Sequence, residues 1–339
     1  MSTPGEWGAS QPFGKVLAAK MSVANFVDGA WQTHQIKDFG PLALDPSSHV
    51  LHYASTCFEG LKVHRGLDGK DRIFRLDRHV ARMQQSAAML CLPIPPTQLL
   101  EAVILDLVRA IPEWIPAHPG SLYLRPTLIG SDHSIGSAAK PSDNAMLFVI
   151  AAPVSDYLGG ALTPVTVLIE DKMRCLPDFG MAKAGGNYAC CIRHVVNGRQ
   201  KHRVDQVLFA PDGDVQEAGV ANFMFLRDNK ILVKAADPAV LEGITRDSLL
   251  TLGKDLGFEV VEGDIHVDDL LQWAPSGEAA LSGTAAILGA IGRLIYKDRT
   301  VTVGQGSAGP NTLKLRNALV AIQNGSEPDH HGWLREIAT

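Results

Sequence analysis

The sequence predicts an α/β protein of two domains, and three observations carry that reading. At 339 residues, 46% of them apolar, the chain is long enough to bury more than one core. Short apolar runs of strand length alternate with segments at helical spacing. After Pro153 the pattern changes, with a turn-rich stretch over 153–160 lying between two apolar strands. The expected organisation is an arm over 1–20, a smaller α/β domain over 21–153, an interdomain loop over 154–160 and a larger domain over 161–339.

Residues 1–20 are rich in Gly, Ser and Pro with little periodicity, which predicts a loosely held arm. Residues 51–75 read as strands, with Asp68-Gly69 as the hairpin turn between 61–64 and 72–75. Asp77 suits the N-cap of a helix in which Val80, Met83, Ala87, Met89 and Leu90 recur at helical spacing, until Pro93, Pro95 and Pro96 stop it. A second helix is predicted over 97–110, then buried strands over 121–129 and 145–152. Beyond 160, strands over 165–169, 206–210, 222–226 and 231–234 mix with helices near 187–198 and 246–256.

Composition removes several function classes. With 31 Lys+Arg against 36 Asp+Glu the net charge is -5, so there is no basic footprint for nucleic acid or an anionic membrane. No apolar stretch approaches the ~20 residues of a membrane span, and no basic-then-apolar leader opens the chain. Cys57, Cys91, Cys175, Cys190 and Cys191 are odd in number and form no C-x-x-C, which fits a reducing compartment and predicts a cytoplasmic protein. The 12 histidines are scattered, without H-E-x-x-H, and no metal is expected. Gly304-Gln-Gly306-Ser-Ala-Gly309 matches G-x-G-x-x-G, but 310–339 is too short to complete a dinucleotide fold. Ser137-Ala-Ala-Lys140 and Ser142-Asp-Asn144 imitate pieces of serine acyl enzymes at the wrong spacing, with no K-T-G.

A different set of residues suggests chemistry. Lys183 stands among small residues immediately before Gly185-Gly186 and a predicted helix, with clearance for an amine nucleophile to carry a ring. Glu217, after the turn at 211–213, is a carboxylate in an otherwise buried stretch and suits a pyridinium partner. Gly243-Ile244-Thr245 turns into a helix whose free N–H groups suit a phosphate, and Ser282-Gly-Thr284-Ala285 offers similar chemistry after a strand. Each motif alone has an ordinary structural explanation. Together, in one half-chain, they suggest pyridoxal phosphate.

The chain resembles the branched-chain aminotransferases of the class IV, fold type IV pyridoxal-phosphate enzymes. The resemblance is carried by Tyr53-Ala-Ser-Thr-Cys-Phe58-Glu59-Gly60, Arg78-His-Val-Ala-Arg82, Tyr123-Leu-Arg125-Pro, Lys183-Ala-Gly-Gly-Asn-Tyr188, Glu217-Ala-Gly, Gly243-Ile-Thr-Arg-Asp and Ser282-Gly-Thr-Ala, in the family's order. It implies a smaller N-terminal and a larger C-terminal domain with the cofactor between them. It further implies that Lys183 carries pyridoxal 5'-phosphate and moves the substrate proton, with Glu217 on the pyridine nitrogen and Tyr188 on the phenolate oxygen. Arg82, Ile244, Thr245 and Thr284 would hold the phosphate. Tyr53, Phe58, Tyr123 and Tyr157 would line the pocket, Tyr123 with the N–H groups of Thr284 and Ala285 receiving the α-carboxylate, and Arg125 the side-chain carboxylate of 2-oxoglutarate.

The activity so implied passes the amino group of L-leucine, L-isoleucine or L-valine to 2-oxoglutarate, giving L-glutamate, in a homodimer whose pocket borrows a loop from the second subunit. A D-amino-acid transaminase or an aminodeoxychorismate lyase of the same fold would use the same lysine. The segments at Phe58 and Tyr123 favour the branched-chain enzyme. A nucleotide-binding oxidoreductase built on 304–309 is the reading from another class.

Overall fold

The computed structural model describes residues 13–155 and 163–338. Most of the arm and of the interdomain loop, Tyr157 included, lies outside the described residues. The chain divides into two compact units.

The first unit is built on a nine-stranded antiparallel sheet. Its order is Leu334–Glu336, Asp71–Phe74, Leu61–Arg65, Ser121–Gly130, Ala145–Val154, Lys20–Val27 and Ala30–Trp31, with Gln35–Asp38 and Thr56–Phe58 paired alongside. Period-two alternation explains its two faces. Leu122, Leu124 and Leu128 enter the core, where they meet Val80, Met83 and Ala87 of the helix Leu76–Met89 and Leu100, Val103, Ile104 and Leu107 of the helix Thr97–Arg109. Tyr123 and Arg125 therefore belong to the opposite face. The hairpin at Asp68-Gly69 forms as predicted, Gly69 taking a φ of 79° that the turn requires.

Three expectations need correcting. Residues 49–53 are a short helix, His49–Tyr53, and not part of a strand. The cause is tertiary: buried His49 bonds Ser55 Oγ through Nδ1 at 2.8 Å and the Lys140 carbonyl through Nε2 at 3.1 Å. The helix expected to be capped by Asp77 begins at Leu76, because Arg75 turns the strand into it with a left-handed φ of 52° while its N–H donates to the Trp333 carbonyl at 2.7 Å. The units are also not contiguous in sequence. Residues 182–186 pack with the first unit, where Ala184 bridges Cys57, and so does 322–338, whose strand Leu334–Glu336 pairs with Asp71–Phe74. The second unit is accordingly shorter than the 161–339 range expected for it.

The second unit carries an eight-stranded mixed sheet. Its order is Gln206–Phe209, Val165–Glu170, Ile287–Tyr296, Glu278–Gly283, Asn222–Arg227, Lys230–Val233 and Glu259–Glu262, with Arg299–Thr302 beside Ile287–Tyr296. Val167, Leu208, Phe223, Phe225, Ala279, Leu281 and Ile291 form its core with Leu270 and Leu271 of the helix Val267–Trp273. Residues 284–286 are the turn of an antiparallel hairpin between Glu278–Gly283 and Ile287–Tyr296, so no helix follows Ser282-Gly283. The glycine motif at 304–309 leads into the helix Pro310–Gln323, whose first amides are taken by Glu278: Asn311 N donates at 3.0 Å and Thr312 N at 2.7 Å. A carboxylate of the chain itself thus occupies that anion-binding terminus. All five cysteines are unbonded, and among the described residues no helix is long and apolar enough to cross a membrane.

Candidate active site

In the first unit, His79, Arg82 and Ser86 of Leu76–Met89 are spaced three and four apart, which places them on one face of the helix, and all three are buried. Glu59, between the strands Thr56–Phe58 and Leu61–Arg65, meets this stripe. Its carboxylate accepts Arg82 Nε at 2.7 Å and Arg82 Nη2 at 2.9 Å, and takes His79 Nδ1 at 2.7 Å. Burial works against the Glu59 charge, yet Arg82 and His79 beside it hold its carboxyl well below the usual carboxylate range. His79 is pushed down by its own burial, further by Arg82 and Lys183, against an upward pull from Glu59. A neutral ring facing an ionised carboxylate must carry its proton on Nδ1 and donate it. Burial and the Glu59 charge together push the neighbouring Cys57 thiol up to about 12.

Lys183 is pinned at its root. Its backbone N–H donates to Ser86 Oγ at 3.0 Å and its carbonyl accepts the Phe58 N–H at 3.1 Å, while Nζ stands 5.0 Å from the centroid of the Phe58 ring. The main chain there is fixed and the long side chain supplies the reach. Phe58, Tyr123 and Arg125 form one group: the Arg125 guanidinium lies 4.7 Å over Phe58 and 5.3 Å over Tyr123, and Nη2 donates to the Tyr123 hydroxyl at 2.9 Å. Arg125 Nε is buried without a hydrogen-bond partner among the described residues, a donor that suits an anionic ligand. Tyr53 is not in this group; its hydroxyl donates to the Ile135 carbonyl and its ring tilts against His49 at 4.8 Å.

In the second unit Glu217 is 3% exposed, and its backbone carbonyl accepts the Phe209 N–H at 3.0 Å. Its carboxylate pairs with the Arg174 guanidinium at 2.7 Å, and accepts Asn222 Nδ2 at 3.0 Å and Leu241 N at 3.0 Å. Burial opposes the Arg174 charge, but Glu217 beside it carries the net direction upward. Asn222 also donates to the Leu241 carbonyl at 2.8 Å, so one side chain ties the carboxylate to the turn before the helix Ile244–Asp255. That helix starts at Gly243 with no side-chain cap, and buried Ile244 and Thr245 open its first turn. A Cβ at Gly243 would fall 1.8 Å from Asn222 Oδ1, which accounts for glycine there. Thr284 and Ala285 are half-buried in the hairpin turn next to Ser282, whose Oγ is buried without a partner among the described residues. Tyr188, half-buried, sits in the first turn of the helix Gly185–His202.

Sequence reasoning assigned no role to Glu59, His79, Ser86, Arg174 or Asn222. A signal existed for the stripe, because polar residues at helical spacing between Val80, Met83 and Ala87 mark a buried polar face. None existed for Arg174, which lies in a loop far in sequence from Glu217.

Chemically, the first unit offers a rooted amine beside aromatic rings and an oriented guanidinium. The second offers a buried carboxylate and an uncapped helix N-terminus joined through Asn222. Taken unit by unit, the amine of the first suits an aldehyde, and the carboxylate and helix N-terminus of the second suit a basic ring nitrogen and a phosphate, while Arg125 in the first and Ser282 in the second each keep a buried polar atom without a partner among the described residues.

The family model for class IV amino-transferases matches residues 56–289, and the chain belongs to that family. It is similar to a probable branched-chain-amino-acid aminotransferase of Streptomyces coelicolor, 36% identical over 97% of this chain and 93% of the relative. It is 34% identical to branched-chain-amino-acid aminotransferase 2 of Bacillus subtilis, over 96% of this chain and 92% of that one. Among solved structures, the branched-chain amino acid aminotransferase of T.th. with pyridoxamine 5'-phosphate superposes with a TM-score of 0.81 at 28% identity, covering 95% of this chain and all of that one.

Proposed function

We propose that this chain is a branched-chain L-amino acid transaminase that uses pyridoxal 5'-phosphate to move the amino group of L-leucine, L-isoleucine or L-valine to 2-oxoglutarate. The observation that carries the reading is the grouping of Phe58, Tyr123 and Arg125 beside Lys183. Aromatic walls accept an aliphatic side chain, and a guanidinium with a buried unused donor accepts the second carboxylate of 2-oxoglutarate. Relatives named for the same activity, similar over nearly the whole chain, support it.

When bound, the cofactor supplies an electron sink and a temporary carrier for the amino group. The chain supplies the rest. Lys183 Nζ moves the proton at the substrate Cα. Glu217, backed by Arg174, keeps a proton on the pyridine nitrogen, and the Tyr188 hydroxyl donates to the ring oxygen. Arg82, the first amides at Ile244 and Thr245, and Thr284 bind the phosphate. Tyr123 with the Thr284 and Ala285 amides orients the α-carboxylate, and Tyr157 completes the walls. We place the working enzyme in the cytoplasm as a homodimer, a compartment that the unbonded cysteines support.

The visible spectrum of the purified protein tests this. Loss of the lysine-bound cofactor band on adding L-leucine, and its return with 2-oxoglutarate, is the expected result. A response to D-alanine alone overturns the substrate, and no band after adding pyridoxal phosphate overturns the cofactor together with Lys183. Lys183→Ala must abolish the band.

A further inference from the structure

Burying three polar side chains on one helical stripe is unfavourable unless each has a partner. On Leu76–Met89, Glu59 provides for two of them. It takes Arg82 through Nε at 2.7 Å and Nη2 at 2.9 Å, a bidentate grip that sets both the plane and the direction of the guanidinium. The carboxylate is held in turn by His79 Nδ1 at 2.7 Å and the Gly60 N–H at 3.2 Å, and the Glu59 N–H donates to the Pro126 carbonyl at 2.8 Å. Ser86, farther along the same face, holds the Lys183 N–H at 3.0 Å, so the gripped guanidinium and the root of the lysine share one helix. A buried carboxylate–guanidinium pair adds little net stability over an apolar pair of equal volume. The arrangement therefore speaks for orientation.

We infer that Glu59 is a positioning residue, braced by His79, that presents the Arg82 guanidinium to the phosphate of pyridoxal phosphate. This rests on the proposed function, in which Arg82 meets that phosphate. Glu59 acts through Arg82 and not on the reacting atoms.

The test uses full-length protein stripped of cofactor and titrated, by the absorbance of the lysine-bound form, with pyridoxal phosphate and separately with pyridoxal, which lacks the phosphate. Glu59→Gln is expected to weaken pyridoxal phosphate at least about 10-fold while changing pyridoxal less than about twofold, and to shift the phosphorus-31 resonance of the bound cofactor. Equal weakening of both probes, or no weakening of the phosphorylated one, overturns the inference. A protein without substitutions that binds neither probe overturns the cofactor reading itself, and this inference with it. If Glu59→Gln does not fold, His79→Leu and His79→Asn take its place. Leu should weaken the phosphorylated probe selectively and Asn, which restores an N–H donor, should recover it; equal losses in both variants on both probes overturn the brace.

Discussion

Gly60→Ala isolates the geometry of the Phe58, Tyr123 and Arg125 group. A Cβ at Gly60 would lie 1.9 Å from the Tyr123 hydroxyl oxygen and 2.8 Å from the ring carbon that bears it. That is about 1.5 Å short of ordinary van der Waals contact. The ring has little room to yield, since Tyr123 is 8% exposed and meets the Phe13 ring at 4.8 Å. Any swing also breaks the 2.9 Å bond from Arg125 Nη2. A displacement of this size exceeds the ~1 Å misplacement that costs about 100-fold in rate, while overpacking costs about 1–3 kcal/mol of stability. The expected outcome is a folded protein with lowered Tm whose kcat/KM falls about 100-fold with both L-leucine and 2-oxoglutarate. Single-turnover rates for each half-reaction and a thermal melt measure it. Rates within twofold of the parent would refute the reasoning.

Arg125→Met removes a charge-assisted donor worth about 1.5–3 kcal/mol, so KM for 2-oxoglutarate should rise some 10- to 150-fold with L-leucine little changed; parallel losses for both substrates would count against the assignment. Arg174→Met strands Glu217 as a buried charge and should cost about 3–5 kcal/mol in urea unfolding, unless Glu217→Gln is added to relieve it. His64 provides the pH test. Burial, with Lys62 and His118 nearby, pushes it down to about 3, and its Nε2 has no partner among the described residues. Its folded value lies below the unfolded value of about 6.5, so between them the unfolded chain holds the extra proton and stability falls as pH falls, by about 1.4 kcal/mol per unit. His64→Phe should flatten that acid limb between about pH 6 and 4, and an unchanged slope in urea titrations would contradict the burial argument.

How much of the molecule was readable in advance depended on the range of the interaction concerned. The helix Thr97–Arg109 and the strand Ser121–Gly130 announce themselves because side-chain periodicity records which face of a local element is buried. Lys183, Glu217 and the Gly243 turn stand out because unusual chemistry in small-residue surroundings is visible in the chain itself. Periodicity does not say what a buried face meets. Only the tertiary structure decided that Glu59 grips Arg82, 23 positions away, that Arg174 backs Glu217, and that Tyr53 lies in a helix tied to Ile135. The topology likewise assigned 182–186 and Leu334–Glu336 to the first unit, against their order in sequence. The physical reason is common to all of these. A buried charge must find a partner and an edge strand must find a neighbour, and which one it finds is set by how the sheets close, a long-range outcome that no window of sequence contains.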